Sequence, residues 1–460
     1  MKNDNFSNID FSVLLGAKTL YFIGIGGIGI SAVARMFLLE GKKVSGSDVA
    51  ESEVTEGLRK AGAKIFIGQR AENVPADCDL VIYTIAVPPD NLEFAEAKRR
   101  GIPMMSYPEA LGEISRYKFT IAVSGTHGKT TTTAMIAKIL VDAELDPTVI
   151  VGSFINLCAK SVDIRCLQIC RHLMSTERTN FISGRGKFFV VEACEYRRSF
   201  LHLSPRVLVL TNIDADHLDY YKDMNDIISA FNELATKVPK SGFVVTDAKN
   251  RNIKLALKNV QSKISNYKQQ TTFYRLKIPG RHNILNAQAA LAVAKILGID
   301  EKSAIRSLEN FAGTWRRFEY RGKAKNGALV YDDYGHHPTE IKATLSGARE
   351  LFPKQKIIVV FQPHLYSRTK QHLRGFVTVL RKANSMILLP IYPAREEDPG
   401  NISSQMIVDG VKKGGGDAHV AATFDEAAKL AVKLSAHGDI IITLGAGETN
   451  KVADILVKGI

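Results

Sequence analysis

At 460 residues the chain is longer than one hydrophobic core usually organises, and 45% hydrophobic with 23% charged residues excludes a disordered or low-complexity protein. Lys and Arg outnumber Asp and Glu by 61 to 47, a formal charge of +14; with no block of consecutive basic residues and no basic stripe interleaved with aromatics, this favours small phosphorylated ligands over nucleic acid. The five cysteines (Cys78, Cys158, Cys166, Cys170, Cys194) are too few and too irregular for a disulfide framework, so a reducing, cytoplasmic setting is expected.

The N-terminal MKNDNFSNIDF has no basic region followed by an apolar one, which argues against a signal peptide. The longest charge-free apolar stretch, Leu20 to Ala34, holds four glycines and falls short of the roughly 20 residues of a membrane span, so no membrane segment is expected. Next come apolar runs that alternate with amphipathic helical stretches: TLYFIGI, KKVSGSD and LVIYTIA, then FTIAVSG, KFFVVEA and RVLVLTNI, and finally ALVYDDY, KIIVVFQ, SMILLPI and DIIITLG. That rhythm predicts an α/β fold of parallel sheets covered by helices, with ligands at the carboxyl ends of the strands. Breaks in the rhythm near Tyr117 and Arg321 predict three domains, 1–117, 118–320 and 321–460.

In the first block, the strand at Leu20 to Ile23 runs into Gly24, Gly26 and Gly29 in G-x-G-x-x-G spacing, with Gly27 between them, and then into a helical run. Glycines there let backbone amides approach a pyrophosphate at a helix N-terminus, and Asp48, at the end of the next strand, can accept from a ribose hydroxyl. Alone the pattern reads as a dinucleotide site, which makes a nicotinamide-dependent oxidoreductase one candidate; glycines serving only helix and strand packing are the plain alternative.

The second block opens with a strand, then Gly125, Thr126, His127, Gly128, Lys129, Thr130 and Thr131, then a helix. Such a loop cradles triphosphate oxygens with its amides; Lys129 offsets phosphoryl charge and the Thr130 hydroxyl can hold Mg²⁺. Only two residues separate the glycines, fewer than in the general P-loop pattern. Glu192 closes KFFVVE and His217 follows RVLVLTNI, which makes both candidate metal ligands: the carboxylate suits Mg²⁺, while the imidazole leaves Mn²⁺ possible. For a lone histidine, a helix cap or core partner is the competing reading.

These residues resemble the Mur ligase family of peptidoglycan synthesis. Its motifs stand in order as FIGIGGIGISAVA with VSGSD, SGTHGKTTTTAM, VVEACEY, LTNIDADHLDYY, IPGRHNILNAQAA, WRRFEY, DDYGHHPTEI and QPHLYSRT. The resemblance implies a Rossmann-like UDP-binding domain, a P-loop ATPase-type central domain and a C-terminal Rossmann-like domain. It reassigns Gly24, Gly26, Gly27, Gly29 and Asp48 to a UDP-sugar, and gives Thr130, Glu192 and His217 to two Mg²⁺ ions beside ATP. It further implies His282 and Asn283 near the adenine, Arg317 and Asp332 near the phosphates or ribose, and Tyr334, His336 and Arg368 facing the amino acid, where a guanidinium can grip a carboxylate.

The implied reaction joins L-alanine to the lactyl carboxylate of UDP-N-acetylmuramate. ATP first phosphorylates the carboxylate; the amine then displaces phosphate, with Lys129 and Arg368 serving the chemistry and His336 a candidate base. A related ligase adding another amino acid or a ready-made tripeptide is the rival within the family, and a monomer and a homodimer are both compatible. The chain departs from the pattern at 157–181, which is longer and less glycine-rich than in relatives. Its Cys166, Cys170 and His172 match no familiar zinc spacing, so an inserted surface helix beside the sugar substrate is expected. Cys194 replaces a residue that is often acidic, and Leu365 one that is often arginine.

Overall fold

Every apolar run named above is a strand in the computed structural model, which describes residues 11–88, 90–155, 179–218, 220–269, 275–394 and 396–459. The first sheet contains β1 (Thr19–Ile23), β2 (Lys43–Asp48), β3 (Lys64–Ile67), β4 (Leu80–Tyr83) and β5 (Met104–Ser106), all parallel, in the order β3-β2-β1-β4-β5. The order reverses between β1 and β4, so their outgoing loops part and leave a crevice at the carboxyl edge. After α1 (Phe11–Gly16), helix α2 (Ile28–Leu39) follows β1; α3 (Glu53–Lys60), α4 (Leu92–Arg99) and α5 (Tyr107–Tyr117) complete the cover. A capping box fixes the start of α5: the Ser106 side chain accepts from the Glu109 amide, and Glu109 accepts from the Ser106 amide at 2.7 Å.

The second sheet contains β6 (Phe119–Ser124), β7 (Thr148–Ile155), β8 (Thr179–Ile182), β9 (Phe188–Glu192), β10 (Val207–Leu210), β11 (Phe243–Thr246) and β12 (Lys263–Asn266), in the order β12-β11-β10-β6-β9-β7-β8. Only the β7–β8 pair is antiparallel. β6 lies in the middle, with Val123 level with Glu192 on β9 and Ser124 level with Leu210 on β10. The loop that leaves β6 toward α6 (Lys129–Asp142) is therefore flanked by the ends of both neighbours.

The third sheet contains β13 (Glu319–Lys323), β14 (Leu329–Asp333), β15 (Ile357–Phe361), β16 (Ser385–Leu388), β17 (Asp417–Val420) and β18 (Ile440–Leu444), in the order β13-β14-β18-β15-β16-β17. Ile341, Leu345 and Phe376 pack on one face, and Ala427, Val452 and Leu456 on the other. All five residues of β15 and of β18 are buried, as a parallel strand covered on both sides requires. Each such aliphatic side chain contributes about 1.5–3 kcal/mol of burial free energy.

β13 straddles the boundary expected at 320/321. Glu319 pairs with Asp332 across an antiparallel ladder, so the polar run at the expected boundary includes the edge strand of the third sheet. An edge strand tolerates that polarity because one side of it faces water. Chain contacts gather the first two sheets in one compact unit, Met1–Tyr274 with Asn286–Asn310, and the third in another, Arg275–Leu285 with Phe311–Ile460. Cys158, Cys166, Cys170 and His172, and with them the expected surface helix, lie outside the described residues. Among the described residues no helix is long and apolar enough to cross a membrane.

Candidate active site

β1 turns at Gly24 through a left-handed φ of 76°, and the end of β2 then holds the loop. The Gly24 and Ile25 amides both donate to the Ser47 carbonyl at 2.9 Å, the Gly26 amide donates to Asp48 Oδ2 at 2.8 Å, and the Gly27 amide turns back to the Gly24 carbonyl. The loop amides expected to meet a pyrophosphate are thus largely engaged within the protein. What remains for an anion is the first turn of α2, whose cap, Gly27, offers no side-chain hydrogen bond. A Cβ on Gly26 would stand 2.8 Å from Asp48 Oδ2, so this glycine is what lets the carboxylate reach the loop.

Gly125 (φ 129°) and Gly128 (φ 84°) shape the second loop. A side chain at Gly125 would fall 2.1 Å from Thr211 Oγ1, and one at Gly128 would fall 2.6 Å from Asn286 Oδ1. The loop is tied to the end of β10: the His127 amide donates to Asn212 Oδ1 at 2.9 Å and the Thr211 hydroxyl donates to the His127 carbonyl at 2.6 Å. Thr126 Oγ1 and the Asp214 backbone are hydrogen-bonded, with Asp214 Oδ2 3.6 Å from His127 Nε2. Thr130 and Thr131 are buried at the start of α6.

Lys129 folds back onto this loop. Its ammonium donates to the Gly125 carbonyl at 2.6 Å and the Thr126 carbonyl at 3.0 Å, and pairs with Glu195 at 2.9 Å. Burial disfavours the charge, but Glu195, with Cys194 and Glu192, outweighs it and raises the lysine above its ordinary range. The Thr130 hydroxyl donates to Glu192 Oε1 at 3.1 Å, and Gly152 donates to Oε2 at 2.7 Å. His217, held at a left-handed φ of 55°, brings Nε2 to 3.7 Å from Glu195 Oε1. Glu195, 3% exposed, therefore links the phosphate-loop lysine to the third expected metal ligand.

Sequence reasoning missed Glu195. It stopped at the acid closing β9, although VVEACEY carries a second acid three residues later. The set of one hydroxyl, two carboxylates and one imidazole fits a hard divalent cation, with Mg²⁺ favoured by the oxygens and Mn²⁺ tolerated by the nitrogen. Cys194, between Ala193 and Glu195, is exposed.

In the other unit, His282 opens the helix Arg281–Ile296 after Gly280, and burial together with Arg317 lowers its pKa to about 4. Asn283 is buried and donates to the Pro279 carbonyl at 2.7 Å. Glu340 collects two of the expected residues, Arg317 at 3.8 Å and the His336 amide, which donates to it at 3.1 Å; Tyr334 sits edge-on to His336 with Arg317 over its ring. Arg368, 8% exposed, contacts His364 at 3.2 Å, and the His364 ring lies 6.0 Å from that of His336.

Asp332 stands apart from this group. It is fully buried, accepts from Arg316 Nε at 2.7 Å and also accepts from the Thr443 hydroxyl, while the other Arg316 nitrogens bind the Gly445 and Gly447 carbonyls. Both its oxygens are engaged inside the fold. The next residue, Asp333, feels the Arg317 charge and is itself buried, accepting from the Phe318 and Gly335 amides at 2.8 Å.

Three family models match: Mur ligase family, catalytic domain over residues 19–119; Mur ligase middle domain over 123–272; and Mur ligase, glutamate ligase domain over 316–447. The UDP-N-acetylmuramate–L-alanine ligase of Clostridium kluyveri is 41% identical over 96% of this chain and 98% of its own length, and that of Clostridium tetani is 39% identical over 98% and 100%. Among solved structures, the UDP-N-acetylmuramate-alanine ligase of Thermotoga maritima superimposes with a TM-score of 0.77 at 31% identity, covering 96% of this chain and 98% of that one. A murein peptide ligase from Psychrobacter arcticus shares the fold, with a TM-score of 0.70 at 24% identity and the same coverage.

Proposed function

The chain belongs to the Mur ligase family, and from that premise we infer that it joins L-alanine to the lactyl carboxylate of UDP-N-acetylmuramate at the expense of ATP, in peptidoglycan synthesis. The observation that carries the chemistry is the Lys129–Glu195 pair beside Thr130 and Glu192, at the end of the central strand of the second sheet.

The substrate carboxylate attacks the γ-phosphorus of ATP; the bond to the β,γ-bridging oxygen breaks, leaving an acyl phosphate and ADP. Lys129 is placed to neutralise the phosphoryl oxygens once it exchanges Glu195 for the nucleotide, and Gly125 to Thr131 wrap the phosphates with amides and hydroxyls. Thr130, Glu192 and His217, joined by Glu195, would hold Mg²⁺, which when bound supplies further charge neutralisation at those oxygens. The neutral amine of L-alanine then attacks the acyl carbon, phosphate leaves, and the amine's proton is lost to a base, for which His336 is our candidate. Arg368 and Tyr334 are assigned to the amino acid, His282, Asn283 and Arg317 to the nucleotide, and Gly24 to Gly29 with Asp48 to the uridine diphosphate. An ATP-consuming step of this kind belongs in the cytoplasm.

The test is phosphate release from ATP with UDP-N-acetylmuramate present, offering each amino acid and then the tripeptide. Release that requires both the sugar nucleotide and L-alanine is expected. Dependence on the tripeptide instead would move the protein to the peptide-adding branch, and binding of NAD(P) rather than UDP would revive an oxidoreductase.

A further inference from the structure

The glycine spacing of the first loop was read as serving a pyrophosphate, yet the structure gives its last member another task. A Cβ on Gly29 would stand 2.6 Å from the hydroxyl oxygen of Tyr107, 2.7 Å from its Cζ and 2.9 Å from its Cε1. Gly29 is therefore the opening through which the Tyr107 ring reaches the first turn of α2. Tyr107 is the first residue of α5, positioned by the Ser106 and Glu109 capping box.

The phenol differs from the fully buried ones. Tyr21, Tyr221 and Tyr267 each donate to an acceptor inside the fold: Glu93, the Glu195 carbonyl and the Thr211 carbonyl. Among the described residues the hydroxyl of Tyr107, a half-buried side chain, makes no such bond. Enclosure, then the neighbouring Cys194 and Glu192, oppose its ionisation, so it remains a donor. Further along, α5 packs on the segment Tyr196–His202, with Gly112 admitting the His202 carbonyl. The Arg197 guanidinium of that segment donates to the Ile85 carbonyl beyond β4 at 2.9 Å. Helix α5 thus runs from the first turn of α2 to the stretch that follows Glu195.

We propose that the Tyr107 hydroxyl is a substrate-binding donor that hydrogen-bonds an anionic diphosphate oxygen of the sugar nucleotide at the first turn of α2. The assignment rests on the reading of the glycine loop as the UDP site. It gives the hydroxyl an acceptor that the fold does not supply.

Tyr107→Phe keeps the ring against Gly29 and removes only the donor. Calorimetric titration with UDP, without ATP, is expected to show binding about tenfold or more weaker than in the wild type, the loss typical of a hydrogen bond to a charged group. The KM for the sugar nucleotide is expected to rise in step, while the KM for ATP and the melting temperature stay unchanged. Equal UDP affinity in the two proteins overturns the proposal and leaves the glycine-loop reading intact. Failure of the wild type itself to bind UDP overturns both.

Discussion

Glu195 carries two consequences at once. It neutralises Lys129, whose side chain is 14% exposed, and it approaches His217. Glu195→Gln is expected to leave Lys129 as a buried, uncompensated cation and to lower the stability of the ligand-free protein by about 3 kcal/mol. Saturating ATP should restore most of that loss, because phosphates replace the missing carboxylate. The same variant should need severalfold more Mg²⁺ for half-maximal activity and turn over about a hundredfold more slowly. A normal Mg²⁺ response with a lowered melting temperature would confine Glu195 to the lysine. His282 makes a pH prediction. Burial holds its folded pKa near 4 against an ordinary 6.5, so between those values the unfolded chain binds a proton that the folded chain refuses. Stability is then full above about pH 6.5 and falls as pH drops toward 4, by up to about 3 kcal/mol. Urea midpoints at pH 7, 5.5 and 4.5 should decline more steeply in the wild type than in His282→Gln; parallel curves would remove His282 as the cause. At this scale the sequence was legible where residue type dictates chemistry, as at Lys129, Thr130 and Glu192. It was not legible where an adjacent pair divides its duties: nothing in DDY tells which aspartate meets Arg316, yet Asp332 is fully buried on it while Asp333 caps the turn at Gly335.

The strands read most plainly are buried on both faces. β6, β9, β10, β15 and β18 announce themselves as unbroken apolar runs because helices cover both their faces. Of the strands that escaped the reading, β3, β12, β13 and β17 lie at sheet edges with mixed burial, and their polar sequences look like loops. The turn between β6 and α6 was legible for a different reason, since its conformation demands glycine. Gly128 has φ 84° and its missing side chain would meet Asn286. Gly128→Ala adds about 1–2 kcal/mol of left-handed strain to that clash, and the loop must open to relieve it. The expected result is an ATP KM raised at least about tenfold, the cost of displacing two or more loop amides from the phosphates. UDP titration should be unaffected, because the first sheet's loop is built independently from β1 and β2. A matching loss of UDP affinity would instead mean that the substitution disturbs the whole unit.

For the whole molecule, three mainly parallel sheets followed from the alternation of apolar runs and helices, and the polar stretch at β13 hid where the third begins. The charge balance was equally plain, and it bears on how substrates arrive. A net charge of +14 surrounds a protein whose two nucleotide substrates are polyanions and whose amino-acid substrate is a zwitterion. Long-range attraction should therefore favour ATP and the sugar nucleotide but not L-alanine. Raising ionic strength from about 0.01 to 0.15 M shortens the screening length from about 30 to 8 Å and removes most of that attraction. At constant free Mg²⁺, kcat/KM for ATP and for the sugar nucleotide is expected to fall severalfold, while the KM for L-alanine moves less than about twofold. The contrast among substrates is what identifies the cause. Equal sensitivity of all three would place the salt effect on the fold or on the chemical step, and insensitivity of the two nucleotides would mean that the positive charge lies too far from their approach to guide them.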